Sequence, residues 1–223
     1  MRLGILGGTF DPVHNGHLFV AREVRRVFQL DQVLLMVAPQ PPHKRPRTIT
    51  AVHHRYAMAV LATRHDEAIL ASDLELEREG SSFTWETLAE LRKRIPSAGL
   101  VFIAGSDSLR EIHLWRRYDT LFSEYCLVFV QRSGAEIDLN SLELEVRYRR
   151  LIQGIECGII PSVAAGNHYF LELDTPTVSS TAIRRSLLAG REPGEECLDP
   201  AVINYIRKYR LYGSNQGSAE NRL

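Results

Sequence analysis

The chain has 223 residues, 44% of them hydrophobic and 24% charged, a balance that suits one globular domain with a substantial core and excludes a disordered chain. Its 27 basic and 27 acidic side chains cancel, so no global positive field is available for long nucleic acid, and any polyanion site must be local. The three cysteines, Cys126, Cys157 and Cys197, stand far apart without a CxxC pair, which argues against a disulfide framework or a zinc ribbon and for a reducing cytoplasm.

Leu3 to Leu6 is a short apolar run ending in glycines, as expected of a buried strand feeding a turn. The glycines also cut that run short of a signal-peptide core, and no apolar stretch approaches the roughly 18–20 residues that span a membrane. From Gly16 the period changes: Leu18, Val20, Ala21, Val24, Val27 and Phe28 recur at helical spacing. Gln32 to Ala38 is strand-like again, so the first 38 residues form a βαβ unit and imply a parallel sheet. The alternation continues with a helix over Ala51–Arg64 that turns Met58 and Leu61 inward, and a strand over Ala68–Leu74. A helix from Thr84 to about Ile95 buries Leu88 and Leu91; strands follow at Leu100–Ala104 and Cys126–Val130. The last helix starts near Pro200, with Val202, Ile203, Ile206 and Tyr209 expected on one side. The expected fold is therefore a doubly wound α/β domain over residues 1–212, with a polar tail, 213–223, expected to be unstructured. Ligands of such sheets bind beyond the carboxyl ends of the strands.

The chemistry-bearing residues fall there. Gly7-Gly8-Thr9-Phe10-Asp11-Pro12-Val13-His14-Asn15-Gly16-His17 lies between the first strand and the first helix. Glycine lets a backbone approach a phosphate, and the helix start turns its free N–H groups and positive dipole end the same way. His14 and His17, three apart, share one side of a helical turn. The run is neither the dinucleotide GxGxxG nor the P-loop, and a zinc site from the histidines with Asp11 lacks a further ligand cluster. Anion contact is the better account. After the second strand, Pro41-Pro42-His43-Lys44-Arg45-Pro46-Arg47 gathers positive charge at the same edge. Late in the chain, Ser179 or Ser180 can cap a helix whose Arg184 lies one turn along, so that hydroxyl, amides and guanidinium could hold one phosphate.

Together these runs resemble the HxGH nucleotidyltransferase superfamily: GGTFDPxHxGH, PPHK and SSTxIR match its nicotinate-mononucleotide adenylyltransferase branch, with Val178 where isoleucine is usual. The resemblance extends from Arg2 to about Tyr212 and implies a Rossmann-like nucleotidyltransferase fold. It implies adenylyl transfer from ATP to nicotinate mononucleotide, with His14, His17, Lys44 and Arg184 as the catalytic set. Gly7, Gly8, Thr9, Phe10, His43, Gly105, Asp107, Ser179 and Ser180 would join them in binding ATP. For the acceptor it implies Ser82 and Thr84, in a run resembling S-[FY]-T-x-D-T-[LM] with Glu86 where aspartate is usual. Trp115 would stack on the pyridine ring, and Arg132 would meet the mononucleotide phosphate. Mg2+ is expected to be held by the polyphosphate, without a protein cage. The expected partners are the two small-molecule substrates, with neither nucleic acid nor membrane. NMN or phosphopantetheine as acceptor, a non-catalytic nucleotide sensor and a homo-oligomer are left open.

Overall fold

A computed structural model describes residues 1–39, 49–78, 82–132, 141–155 and 159–213. Among the described residues, seven strands form one sheet in the order β3-β2-β1-β4-β5-β7-β6, with every neighbouring pair parallel. They are β1 (Arg2–Gly8), β2 (Gln32–Val37), β3 (Ile69–Ser72), β4 (Gly99–Gly105), β5 (Cys126–Arg132), β6 (Ile152–Gly154) and β7 (His168–Leu173). The helices are α1 (Asn15–Phe28), α2 (Val52–Thr63), α3 (Thr84–Arg94), α4 (Ser106–Glu111), α5 (Tyr118–Glu124), α6 (Val146–Arg149), α7 (Ser180–Leu188) and α8 (Pro200–Lys208).

Strand alternation sorts the core into two layers, one on each face of the sheet. Val33, Leu35, Val101, Ile103, Val128 and Val130 face a layer completed by α1, α2, α7 and α8. Leu3, Ile5, Phe102, Leu127 and Phe129 face the other, completed by α3, α4 and α5 through Leu88, Leu91, Leu109, Leu121 and Phe122. Gly4 is required by this packing, since a Cβ there would meet Leu30, Val33 and Ile103 at 2.8–3.1 Å. The strand order reverses at β1, which lies between β2 and β4; a crevice therefore opens beyond the carboxyl ends of β1 and β4.

The doubly wound parallel sheet expected from the sequence is thus observed, with differences at its margins. β3 ends at Ser72 and the chain turns over residues 74–77, so the acids at Asp73 and Glu75 lie beyond the strand. Leu61 is half-buried, and Tyr209 lies past the end of α8 with 48% of its surface exposed. The chain folds one residue past the expected end, through a tight turn at Leu211–Gly213; residues 214–223 lie outside the described ones. No helix among the described residues is long and apolar enough to cross a membrane.

Candidate active site

The first turn is built around a buried phenylalanine. Phe10 is 2% exposed and adopts φ 48°, a left-handed conformation that costs a non-glycine residue about 1 kcal/mol or more. Gly8 permits this, because a Cβ there would meet the Phe10 ring at 2.7–3.0 Å. Gly8 is therefore needed first for packing, and the Phe10 side chain belongs to the core; only its backbone is left for the expected ATP contact.

Beyond the turn, α1 begins with two stacked imidazoles. The rings of His14 and His17 lie 3.7 Å apart at 23°, and the edge of Phe10 supports His17 at 4.9 Å. His14 is buried and His17 half-buried. The backbone N–H of His14 donates to Nδ1 of His17 at 3.2 Å. An accepting Nδ1 leaves the proton of neutral His17 on Nε2, a donor suited to an anion at the helix start.

The third motif is folded onto this turn. Ser179 caps α7, its Oγ accepting from the Ala182 N–H at 3.2 Å. The Ser180 hydroxyl donates to the Pro12 carbonyl at 2.9 Å, and Arg184 donates to the Asp11 carbonyl at 2.6 Å and to Thr181 Oγ1 at 3.3 Å. Ser180 thus clips the two motifs together, and half-buried Arg184 is anchored on the same turn. His43 and Lys44 lie outside the described residues, as do Arg45 and Arg47.

On the other side of Gly7, Gly8 and Thr9 a cavity of about 480 Å3 opens. Ser82, Thr84, Asp107 and Trp115 line it, which brings three of the four expected acceptor residues together with Asp107; Arg132 is not among the lining residues. Trp115 is half-buried, its ring held edge-on to Phe102 at 6.0 Å. Helix α3 starts at Thr84 without a side-chain cap; the Glu86 N–H donates to the Phe83 carbonyl at 3.0 Å, so an acidic ligand would meet the amides of Thr84 and Trp85. Gly105 caps α4 at the carboxyl end of β4, and a Cβ there would meet nothing within 4 Å. The backbone of Arg132 ends β5 beside Leu173; its side chain lies outside the described residues.

The cavity holds groups the sequence did not single out. Glu75 is 6% exposed and accepts from the Thr87 hydroxyl at 2.6 Å. Burial pushes its carboxyl above the usual range, against the opposing effects of the Thr87 bond and of Arg78. Arg116 lies over the Phe83 ring at 5.0 Å. An acid just past an apolar strand, at the edge that bears every other motif, is the signal that could have found Glu75. Arg55, fully buried on α2, was missed as well. Its spacing to Met58, Ala59 and Ala62 places it on that helix's buried face, which is itself an anomaly for arginine. Among the described residues, no group of three or more His, Cys, Asp or Glu forms a metal site.

Comparison with known proteins identifies relatives of the chain. Residues 5–186 match the model of the cytidylyltransferase-like family. The chain is 38% identical over 218 residues to a probable nicotinate-nucleotide adenylyltransferase of Citrifermentans bemidjiense, covering 95% of this chain and 98% of that one. A protein of the same description from Corynebacterium jeikeium is 34% identical over 211 residues, covering 95% and 100%. The fold is shared with the nicotinic acid mononucleotide adenylyltransferase of Plasmodium falciparum, solved in complex with NaAD. The TM-score is 0.74 at 20% identity, over 96% of this chain and 98% of that chain.

Proposed function

The chain belongs to the cytidylyltransferase-like family, and from that premise we propose that it transfers the adenylyl group of ATP to nicotinate mononucleotide, giving nicotinate adenine dinucleotide and pyrophosphate. One observation carries the reading: the turn after β1 is a shared wall. Its first residues, Gly7 to Thr9, line the cavity, and Asp11 to His17 gather the imidazoles and Arg184. Two anionic substrates on either side of one turn meet at it. The names of the full-length relatives, at 34–38% identity, support the choice of acceptor.

In this reading the nicotinate ring enters the cavity against Trp115, and its carboxylate meets the open amides of α3 near Ser82 and Thr84. Arg132 takes the mononucleotide phosphate. ATP, supplied as its magnesium complex, lies along Gly7, Gly8, Thr9 and the backbone of Phe10, with Gly105 and Asp107 at its nucleoside side. His14, His17, His43, Lys44, Ser179 and Arg184 serve its phosphates, with Ser180 acting through its backbone amide because its hydroxyl donates to Pro12. An oxygen of the mononucleotide phosphate attacks the α-phosphorus in line; the P–O bond to the β-phosphate breaks, and pyrophosphate leaves with the electron pair. A phosphate monoester is already anionic near neutral pH, so no strong base is required. The protein's task is to position two anions and to neutralise developing charge with donors already in place. The Nε2–H of His17 and the guanidinium of Arg184 are such donors.

The cytoplasm is the expected compartment: three cysteines, an odd number without a CxxC pair, do not make a disulfide framework, and burial pushes the pKa of the Cys126 thiol up to about 12. The test is pyrophosphate release by purified protein with magnesium-ATP and, in turn, nicotinate mononucleotide, NMN and phosphopantetheine. Preference for nicotinate mononucleotide is expected. Preference for NMN would keep the chemistry and overturn the acceptor; binding without turnover would turn the protein into a sensor.

A further inference from the structure

A buried cation usually hydrogen-bonds a carboxylate; Arg55 donates to backbone carbonyls instead, with the Asp11 carboxylate acting on it only through charge. It is 0% exposed, and its guanidinium donates to four carbonyls. Nε reaches Thr50 at 2.8 Å, Nη1 reaches Thr9 at 2.6 Å and Ala38 at 2.7 Å, and Nη2 reaches Pro39 at 2.8 Å. Thr9 is in the first turn. Pro39 and Thr50 stand just before and just after the segment 40–48, which carries Lys44. One planar group therefore ties the first turn to both ends of the second basic segment. Desolvating a cation costs several kcal/mol, and an apolar residue would fill the same face of α2 beside Met58 without that cost. Only the rigid five-donor fork of arginine can serve four carbonyls at once.

A second contact closes the assembly from the opposite end of the chain. The Tyr212 hydroxyl donates to Asp11 Oδ1 at 2.6 Å, and the Thr50 N–H donates to Asp11 Oδ2 at 3.3 Å. Tyr212 sits at φ 58°, a left-handed conformation that its neighbours must hold in place. The Asp11 carbonyl in turn receives Arg184. Arg55 and Tyr212 thus converge on the turn that positions His14 and His17, and neither lines the acceptor cavity.

We propose that Arg55 and Tyr212 are positioning residues for the triphosphate of ATP: they hold the first turn against Ala38, Pro39 and Thr50, so that the phosphate contacts of that turn are preorganised. This rests on the adenylyl-transfer reading. It predicts a split that a merely structural role would not give. Loss of folded protein lowers apparent kcat and leaves both KM values alone, whereas a loosened phosphate edge raises the KM for ATP and spares that of the acceptor.

The test measures both KM values in wild-type, R55K and Y212F proteins. Alongside, calorimetry reads the Kd of an ATP analogue with a methylene between the α and β phosphorus atoms, which is independent of the acceptor. R55K keeps the charge and loses the fork; it should raise the KM for ATP and the analogue Kd about tenfold, with the acceptor KM within roughly twofold. Y212F removes one hydroxyl and should raise both ATP values about threefold. Unchanged ATP values in folded R55K overturn the proposal. Should R55K fail to fold, Y212F decides alone, and unchanged ATP values there overturn it equally. If wild-type protein binds the analogue but transfers nothing to any acceptor, the functional reading fails, while the analogue Kd values still decide the proposal.

Discussion

The two halves of the site are built in opposite ways. The phosphate edge is polar and tied together across the whole chain: Ser180 to Pro12, Arg184 to Asp11, Tyr212 to Asp11, Arg55 to Thr9 and Pro39. Most of these bonds end on backbone carbonyls, so they fix main-chain position and leave side-chain donors for a ligand. The cavity also draws on several stretches of chain, but Phe83, Phe102, Leu114 and Trp115 give it apolar and aromatic walls around a few polar groups. The difference fits the tasks proposed for the two sides. Charge that develops during reaction is stabilised by donors that need not reorganise, whereas a flat ring is recognised by surface and shape. Substitutions on the first side should act on turnover, and those on the second on acceptor affinity.

The largest effect should come from H17A. Loss of a preorganised donor at the reacting phosphates should lower kcat about a hundredfold, with a small change in acceptor KM, in steady-state assays. Near-normal turnover would return His17 to a capping role and erase the contrast. W115A should do the reverse, raising the acceptor KM about tenfold with kcat within a few-fold; an unchanged KM would make Trp115 a core residue.

Glu75 sharpens the comparison from inside the cavity. Its carboxyl is held above the usual range by burial, so its ionised form destabilises the fold above the raised pKa, and that cost disappears as pH falls below the unfolded value. E75Q should therefore raise Tm by a few degrees at pH 8 and leave it unchanged near pH 4, read by thermal unfolding. Equal Tm values at both pH values would show that Glu75 is ionised without strain.

The smallest kinetic effect is expected away from both halves. His168 is 0% exposed on β7 against Phe122, and burial pulls its pKa down to about 4. The native state keeps it neutral while the unfolded state takes up a proton near pH 6.5, so stability is complete above that value and falls towards pH 4. The loss should be about 1.5 kcal/mol between pH 6.5 and pH 5, measured by denaturant titration. H168L should flatten this dependence and leave both KM values unchanged; a slope as steep as that of the wild type would assign it to other groups.

The strands of the central sheet were legible because they are continuous apolar runs, as in Val33 to Val37 and Leu100 to Ala104. β7 was not, since His168 and Glu172 break its pattern, and β6 has only three residues at the sheet edge. Short α5 and α6 give too few turns for a helical period to emerge. At the site, local motifs such as His14-Asn15-Gly16-His17 could be read directly, and their expected side-by-side placement is found in the stacked rings. Asp11, Arg55 and Tyr212 could not be read as a group, because contacts spanning 46 to 201 residues leave no local periodicity. The burial of the Phe10 side chain was illegible for a related reason: its placement is set by the absence of a side chain at Gly8.

The most direct test uses ATP carrying sulfur at one defined position on the α-phosphorus, incubated with purified protein and nicotinate mononucleotide, followed by analysis of the product's configuration. A single in-line attack by the mononucleotide phosphate predicts a dinucleotide with inverted configuration at that phosphorus. Retention would reveal a covalent enzyme intermediate and contradict a site built only to position and neutralise; failure to form any dinucleotide would contradict the assignment of adenylyl transfer itself.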